Sequence, residues 1–459
     1  MAALPPVSAS EKLALALNAA GGAVPVLPVR VAQMCDAMLM DLAGLCVAAR
    51  NADYVQATMR ATAEPGICTA IGHAGAFNPA TAALVNGTAA HGEDYDDTFE
   101  GGPVHAGAAV VPAVLAAAEQ HGLSGADTVR GIAVGCEVMC RLCAVAPMRV
   151  HKAGFHPTAV FGALGAAAGV ATAMRLTNAQ WVNALGIAGS MAGGIIEYLA
   201  EGAWTKRMHP GWAAQAGYRA ARMAEAGFTG PRTLLEGEHS FFHAFANTRD
   251  GDLVAMLDGA GTQWRCADIA FKPYACGTMA HPYIDCARKL VAEGMRHADI
   301  TSIECETAEG IVHRLWEPLS AKQAPLNGYA AKFSIPYAIA VGMLRNDAGL
   351  NDYEEAVVQD AGVRALAAKV RYVIDAANPY PKKFTGHVRV TLRDGSVREA
   401  RQDHFRGGVA EPLSAADLEA KFRANGVYGG WSADQSRHAL AALRALPAAA
   451  KMDLTALRT

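Results

Sequence analysis

The sequence predicts a mainly α protein with a large helical domain and a smaller domain of mixed α+β type. From Ser8 to about Asp250, apolar residues recur at helical spacing and strand-like alternation is scarce. Strand-like segments begin near Trp264, and helical patterning returns after about Pro412. These observations divide the chain into a helical domain (1–264), an α+β domain (265–411) and C-terminal helices (412–459).

Polar residues and glycines predict where individual helices of the first domain begin and end. Ser124 followed by Asp127 resembles a capping box, with Asp in place of the usual Glu, and predicts a helix that continues to about Val145. Glycine and proline in the segments 101–103 and 154–157 predict loops.

The second domain is predicted from short segments rich in β-branched and aromatic residues. The predicted strands are Ile303–Thr307, Val370–Ile374, His387–Leu392 and Ser396–Ala400. Asp394-Gly395 predicts a hairpin turn between the last two strands. A helix is predicted over Phe333–Leu344.

Two helices are predicted after the second domain. Ser414 can cap a helix that includes Leu418 and Phe422. The segment Ser432–Leu446 predicts a second helix.

Composition limits the kinds of partner that the protein can have. Apolar residues make up 52% of the chain and charged residues 18%, against about 25% charged in typical soluble domains. A chain so sparing with charge buries a large core and often a subunit interface, so a homo-oligomer is expected. The net charge is −3, and no run of Lys and Arg alternates with aromatics, which argues against nucleic acid as a partner.

The sequence predicts a soluble, cytoplasmic protein without membrane association. Met1 to Pro6 lack the basic flank and apolar core of a signal peptide. The apolar run Ala106–Ala118 is too short for a membrane span, which needs about 20 residues.

Three cysteines lie at helical spacing on the predicted helix after Ser124, namely Cys136, Cys140 and Cys143. Their sulfurs share one helix face, which makes a metal site conceivable. The segment is largely apolar, however, and free cysteine packs well as a small hydrophobe. Core packing is therefore the favoured interpretation.

The densest group of ionisable residues runs from His91 to Thr98 and is followed by His105. Four interpretations compete: a solvated acidic loop, carboxylates at a helix N-terminus, a metal site, and acid–base catalysis. For metal binding, His and Asp are suitable ligands, but the spacing matches no established motif. For catalysis, a carboxylate would hold His105 in one tautomer.

Three further segments combine histidine or lysine with features of a binding site. His156 precedes Pro157 at a loop-to-helix junction, where a helix N-terminus can receive an anion. Lys206 and Arg207 are adjacent cations suited to holding carboxylates, and His209 follows them. The segment 271–282 lies close to the predicted domain boundary, where clefts tend to form. Each segment alone also has a purely structural interpretation as a polar loop.

Taken together and in order, these segments resemble the MmgE/PrpD family. Asn86–His91 and Asp94–Thr98 resemble its N-G-x-A-x-H…D-F-D-D-[TS] signature, and Gly154–Thr158 matches G-[FW]-H-P-T. Thr205–His209 is similar to T-K-x-[LM]-H. Lys272–Pro282 and Lys332–Tyr337 resemble K-x-[YFW]-P-x…H and [KR]-x-S-x-x-Y. The resemblance extends to about Leu350.

The resemblance implies a large helical domain and a smaller α+β lid domain in a homodimer, with the site between the domains. It implies a small carboxylate as substrate, and neither a metal nor an organic cofactor. The residues that match family positions imply catalytic roles for Asp94, Thr98, His105, His156, Lys206 and Tyr337. Substrate-binding roles are implied for Lys272, Arg207, His209 and His281.

The family's reactions share proton transfer at a carbon next to a carboxylate, which needs a base and cations at the carboxylate oxygens. His105 is the expected base, oriented by Asp94, with Lys206 and Lys272 at the oxygens and Thr98 as a donor. His156 or Tyr337 is the expected acid. A hydro-lyase of the 2-methylcitrate dehydratase type is the leading hypothesis.

Several departures and alternatives accompany this hypothesis. Gly277 stands where the decarboxylases of the family have a histidine, Ala275 replaces a usual proline, and Glu100 lies in the loop before His105. The missing histidine disfavours cis-aconitate decarboxylation. An epimerase of the iminodisuccinate type is the next alternative, followed by a metal-dependent hydrolase built on His91, Asp94, Asp96 and His105, and by a non-catalytic protein that has kept the fold.

Overall fold

A computed structural model describes residues 7–18 and 26–459 of the protein. The segment Met1–Pro6, considered above as a signal peptide, lies outside the described residues. The chain divides into two compact units. Unit 1 comprises the described residues up to Gly92, together with 96–269 and 415–459, and unit 2 comprises 93–95 and 270–414.

Unit 1 is built mainly of helices. From the N-terminus these are α1 (Ala9–Leu17), α2 (Val29–Ala49), α3 (Asp53–Thr62), α4 (Pro79–Gly92), α5 (Ala106–His121), α6 (Gly125–Cys143), α7 (Arg149–Lys152), α8 (Pro157–Ala173), α9 (Asn178–Met191), α10 (Tyr198–Glu201), α11 (Thr205–Glu225), α12 (Phe241–Ala246) and α13 (Leu253–Leu257). Its short strands are β1 (Pro65–Thr69), β2 (Ala76–Phe77) and β3 (Thr98–Phe99), and a further short strand, β4 (Ile269–Ala270), lies at the boundary between the units.

The helices of unit 2 are α14 (His281–Ala292), α15 (Glu309–Leu315), α16 (Leu319–Gln323), α17 (Gly328–Ala331), α18 (Ile335–Arg345), α19 (Glu355–Val358) and α20 (Ala361–Ala367). Its strands are β5 (Ile300–Thr307), β6 (Val370–Ile374), β7 (Gly386–Leu392) and β8 (Val397–Gln402). The chain then returns to unit 1 with α21 (Ala415–Tyr428) and α22 (Ala433–Ala445).

Helix α8 forms the centre of unit 1. All of its residues are buried, and α5, α6, α9 and α11 pack around it. Glycines allow the backbones of α6 and α8 to approach closely. A Cβ added at Gly165 would lie 2.9 Å from the Gly135 carbonyl oxygen, and one at Gly135 would lie 2.7 Å from the Gly165 oxygen. The Ala- and Gly-rich composition therefore serves helix packing at short interaxial distance.

Unit 2 contains a four-stranded mixed sheet. The strand order is β6-β5-β7-β8, with β5 and β6 parallel and the other neighbours antiparallel. Gly395, between β7 and β8, has a φ of 81°, which accounts for the predicted Asp394-Gly395 turn. Helices α14 and α18 pack on each other, and α14 also packs on β7 and β8.

The prediction of a mainly α fold is confirmed, as are the strand positions in unit 2. Ser124 caps α6 and Ser432 caps α22, both with side-chain bonds to the backbone. The antiparallel β1–β2 pair in unit 1 was not predicted, because β1 begins with Pro65-Gly66 and β2 has two residues, so neither segment shows a strand pattern. Cys136, Cys140 and Cys143 are all buried on α6, which confirms the prediction of core packing.

One helix among the described residues, α2, has the length and hydropathy of a membrane span. Of its most apolar window, 72% is buried inside the protein. The apolar composition of α2 is therefore explained by its packing in the core, which includes contacts with α4 and α21.

Candidate active site

The segment that follows α4 brings a carboxylate between two histidines of unit 1. His91, in the last turn of α4, has its Nδ1 2.7 Å from Asp96 Oδ2. The same carboxylate oxygen lies 3.6 Å from His105 Nδ1. The His91 and Asp96 side chains are buried, whereas His105 remains 14% exposed. Of these three side chains, His105 is thus the most accessible to a substrate.

Backbone contacts fix the tautomer of His105. Its Nδ1 lies 2.6 Å from the main-chain oxygen of Asp97, which can only accept a hydrogen bond. Nδ1 must therefore carry the hydrogen, and the lone pair of the neutral ring resides on Nε2. The backbone N–H of His105 also donates to Thr158 Oγ1, at 3.2 Å. His105 is thus held with a basic nitrogen at Nε2.

Asp97 secures the start of α5 directly after His105. Both of its carboxylate oxygens accept from the backbone N–H of Gly107, at 3.1 and 3.2 Å. The approach requires glycine, because a Cβ at Gly107 would lie 2.5 Å from Asp97 Oδ1 and 2.0 Å from Met38 Sδ. One aspartate therefore caps a helix and orients the neighbouring imidazole through its carbonyl.

His156 and His209 form a second histidine pair, joined directly through their rings. Their Nδ1 atoms are 3.1 Å apart, and both side chains are buried. In such a bond one Nδ1 donates and the other accepts, so the two rings hold opposite tautomers. The pair consequently offers one Nε2–H donor and one Nε2 acceptor.

Burial keeps both rings of this pair neutral near pH 7. It lowers the pKa of His156 well below the usual value, and His91, Lys206, His209 and His105 act in the same direction. Burial, with His91 and Lys206, lowers the pKa of His209 to about 4. A neutral imidazole can donate and accept a proton, which suits acid–base chemistry.

The four histidines lie close enough to act as one group, here called the histidine cluster: His91, His105, His156 and His209. Ring centroids are 4.8 Å apart for His91 and His105, 5.6 Å for His91 and His156, and 5.3 Å for His156 and His209. Tyr198 packs edge-on against the last two rings.

Three long helices begin at this cluster. His105 immediately precedes α5, His156 immediately precedes α8, and Lys206 lies in the first turn of α11. Helix N-termini carry unsatisfied N–H groups and partial positive charge, which favour anions. With the charge of Lys206, the arrangement suits a negatively charged ligand.

The other predicted site residues in unit 1 have different surroundings. Arg207 places its guanidinium over the ring of Tyr54, at 4.5 Å from the centroid. Thr98 lies half-buried in β3, and no described contact places it in the histidine cluster. Its role as a hydrogen-bond donor stays a prediction.

Asp94 differs most from its predicted role. Its carboxylate pairs with Lys272, whose Nζ lies 2.7 Å from Asp94 Oδ1 and 2.8 Å from the Asp94 main-chain oxygen. Asp94 adopts a left-handed backbone conformation with φ of 55°, which aspartate tolerates better than most residues. Among the described contacts, Asp96 is the carboxylate that lies against His91 and His105. We therefore propose that Asp96 takes the orienting role that was predicted for Asp94.

The remaining predicted residues lie in the interior of unit 2. Tyr337 is fully buried, and its hydroxyl donates to the main-chain oxygen of Asp352 at 2.5 Å. Burial raises the pKa of Tyr337, and this pairing argues against the predicted role as a general acid. The His281 ring lies between Tyr274 and Phe405, and its Nε2 is 3.1 Å from the Cys276 oxygen, which indicates a packing role.

The lowered pKa of His209 predicts how stability depends on pH. An unfolded chain takes up a proton on this residue near pH 6.5, but the folded protein does so only near pH 4. Lowering the pH through this window therefore favours unfolding, and the contribution of His209 to the unfolding free energy falls by about 2 kcal/mol between pH 7.5 and pH 5. Urea denaturation at both pH values should show a smaller decrease in His209→Gln than in the unmodified protein. The exposed His297, changed to Gln, is the control, and an unchanged decrease in His209→Gln would contradict the assignment.

Comparisons with known proteins identify the family of the chain. The MmgE/PrpD N-terminal domain model matches residues 14–253, and the MmgE/PrpD C-terminal domain model matches residues 274–444. Cis-aconitate decarboxylase of Homo sapiens is 32% identical over 76% of this chain and 72% of its own length. The Mus musculus protein of that name is 31% identical over the same shares of the two chains, and the Aspergillus terreus protein is 27% identical over 84% and 81%. This chain belongs to the MmgE/PrpD family.

Proposed function

We propose that this protein is a lyase that acts on a small di- or tricarboxylic acid by proton transfer at a carbon next to a carboxylate. The observation that carries the proposal is the gathering of four histidines and Lys206 where three helices begin. Neutral imidazoles supply the base and the acid, and the helix N-termini with Lys206 attract the anion. Relatives of this chain are named cis-aconitate decarboxylases, and decarboxylases are lyases.

Dehydration of the 2-methylcitrate type is the reaction that we propose. His105 Nε2 removes the proton from the carbon next to a carboxylate, and negative charge develops on the carboxylate oxygens. Lys206 stabilises that charge. As the C=C bond forms, the neighbouring C–O bond breaks and the departing hydroxyl takes the Nε2 proton of the His156–His209 pair, so water leaves.

Decarboxylation is the competing outcome within the same class, because the relatives bear that name. In that reaction the C–C bond to a carboxylate breaks, CO2 leaves, and the carbon receives a proton. The histidine that the family's decarboxylases carry is replaced here by Gly277. The site does not require glycine, since its φ is −60° and a Cβ would find its nearest neighbour at 3.5 Å. The absence of a side chain at a position whose backbone and space admit a Cβ favours dehydration.

A turnover screen in D2O tests the proposal. Citrate, 2-methylcitrate, cis-aconitate and iminodisuccinate are incubated with the protein and followed by proton NMR. We expect water loss from a hydroxy acid, and deuterium at the carbon next to the carboxylate in the recovered substrate, because reversal of the proton transfer returns a deuteron from the solvent. If the protein releases CO2 from cis-aconitate and dehydrates no hydroxy acid, the assignment changes from dehydratase to decarboxylase. If it only epimerises a substrate, the lyase assignment is wrong.

Metal-assisted hydrolysis is the second candidate, because ligand atoms of His91, Asp96 and His105 lie within 4.8 Å of one another. The hydrogen bonds restrict the atoms that could bind the metal. His105 Nδ1 donates to a carbonyl, and His91 Nδ1 faces the carboxylate of Asp96 at 2.7 Å, so a metal would have to bind the Nε2 atoms. His105 Nε2 is also the base of the proposed lyase, so one nitrogen cannot serve both candidates at once.

Chelation distinguishes the two candidates. We expect EDTA to leave turnover unchanged, since proton transfer by histidines needs no ion. Elemental analysis should find no stoichiometric zinc or iron. Activity that is lost in EDTA and restored by a divalent ion would favour the hydrolase.

A further inference from the structure

One short segment of unit 1, residues 193–202, lies over the His156–His209 pair and is called the gate segment here. Both histidines are only 5% exposed, although the proposed reaction needs the pair to reach the departing hydroxyl. Tyr198 of the gate segment packs edge-on against both rings, with centroid distances of 6.0 and 5.8 Å. Rings buried to this extent offer little surface to a substrate, so a covering group has to move before the pair can act.

The main chain of the gate segment also lies directly on the pair. A Cβ added at Gly194 would lie 3.2 Å from His209 Cε1 and 2.6 Å from the Cβ of Ala159. Gly194 has a φ of 128°, which residues with a side chain rarely adopt. The backbone at Gly194 and the ring of Tyr198 therefore cover the pair together.

Two backbone hydrogen bonds attach the start of the gate segment to the residues just before α8. The N–H of His156 donates to the Gly194 oxygen at 2.9 Å, and the N–H of Ile196 donates to the Gly154 oxygen at 3.0 Å. Segments that are held by a few surface bonds open locally at a smaller free-energy cost than a core helix does. This attachment can therefore break while the rest of unit 1 stays folded.

The opposite side of the gate segment meets solvent, and its far end is a glycine. Ile195 and Leu199 are 61% and 57% exposed, so outward movement meets no packed core on that side. Gly202 caps α10 with a φ of 71°, and a Cβ added there would have no neighbour within 4 Å. With Gly194 near the start and Gly202 at the end, the segment can absorb the φ and ψ changes that a hinge needs.

We propose that the gate segment opens to admit the carboxylic acid to the His156–His209 pair and closes, with Tyr198 over the pair, for proton transfer. The inference rests on the proposed function, in which this pair is the acid. A closed site excludes water, which strengthens the electrostatic interactions of the reacting groups and prevents loss of protons to solvent. Opening and closing of such loops commonly limits turnover.

A reversible disulfide tests whether the gate segment must move. Phe155 and Ile195 are antiparallel bridge partners without a hydrogen bond between them, so their Cα atoms should be about 4.5 Å apart. This separation lies within the range of disulfides, about 4.4–6.8 Å. All ten native cysteines are buried, so mild oxidation of the double variant Phe155→Cys/Ile195→Cys should join the two new thiols.

Turnover of the acid that the D2O screen identifies is measured before and after oxidation of this double variant. We expect oxidation to lower kcat/KM by about 10²-fold or more, the scale of a lost general acid, and dithiothreitol to restore it. The single variants Phe155→Cys and Ile195→Cys are the controls, and their turnover should not respond to oxidation.

Chemical modification measures the movement without turnover. Diethyl pyrocarbonate modifies accessible neutral imidazoles, and mass spectrometry of peptides assigns the modified histidines. With an open state populated at about 0.1–10%, the disulfide should slow modification of His156 and His209 by about tenfold or more. The exposed His297 should react equally in the oxidised and reduced forms.

Tyr198 has its own matched variants. Tyr198→Ala should speed the modification of His156 and His209, because the ring that covers them is gone. Tyr198→Phe keeps the ring and should react as the unmodified protein does. These variants keep the test decisive if the double-cysteine variant does not fold.

Equal turnover and equal modification of the oxidised and reduced double variant would overturn the inference, and so would a disulfide that slows modification but leaves turnover unchanged. An unchanged reaction of the pair in Tyr198→Ala would exclude Tyr198 as the closing group. Modification that follows the disulfide as expected, in a protein that turns over none of the acids screened, would instead reject the proposed function and leave the moving segment in place.

Discussion

Replacing His105 with glutamine is expected to slow turnover by about 10²- to 10⁴-fold, the range for loss of a general base. The structure gives the reason. Nδ1 is committed to the Asp97 carbonyl, so proton abstraction depends on Nε2, which glutamine cannot replace as a base. Deuterium exchange at the carbon next to the substrate carboxylate, followed by NMR, measures this step directly.

His297, an exposed histidine of unit 2, provides the control when changed to glutamine. Circular dichroism and the urea midpoint should confirm that His105→Gln folds. Exchange at the normal rate in folded His105→Gln would place the base elsewhere, and His156 would be the next residue to change.

Replacing Lys206 with alanine is expected to lower kcat by about 10²- to 10³-fold, which corresponds to about 2.7–4 kcal/mol of transition-state stabilisation. The lysine lies in the first turn of α11 and acts electrostatically on His156 and His209. Its charge is therefore near the place where negative charge develops on the carboxylate. Steady-state kinetics over a range of substrate concentrations separates kcat from KM.

Lys206→Arg should retain part of the rate, because the charge remains, and the exposed Lys12 of α1 provides a neutral control when changed to alanine. Lys206→Ala with unchanged kcat and a higher KM would assign Lys206 to ground-state binding. That result would leave the helix N-termini as the main stabilisers of the developing charge.

Much of the fold could be predicted because its signals are local. Ser124 and Ser432 cap their helices through bonds within one turn, and Gly395 supplies the positive φ that the β7–β8 hairpin needs. The segment Glu93–Tyr95 belongs to unit 2 although its neighbours on both sides belong to unit 1. Two distant, buried lysines pair with this segment, Lys272 with Asp94 and Lys332 with Glu93, and no local pattern encodes these pairs.

The difference between local signals and long-range contacts also explains which site residues could be predicted from the sequence. His105, His156, Lys206 and His209 were predicted and lie together, because each stands at a recognisable helix start. The choice between Asp94 and Asp96 depends on which carboxylate faces His91, and that is Asp96, whereas Asp94 pairs with Lys272. The sequence did carry a signal for His91 and Asp96, because both lie in the segment rich in ionisable residues. No sequence pattern marked Tyr198 as a neighbour of the histidines.

The discontinuity of unit 1 has a consequence for how the protein forms during synthesis. Helix α21 packs on α2 through a buried pair, in which Lys421 Nζ lies 2.7 Å from Asp41 Oδ1. A ribosome that has made α2 must add all of unit 2 before it makes α21. The Asp41–Lys421 pair therefore cannot form until almost the whole chain has been synthesised. We expect unit 2 to acquire its structure first on the ribosome, and unit 1 to complete its packing only after release.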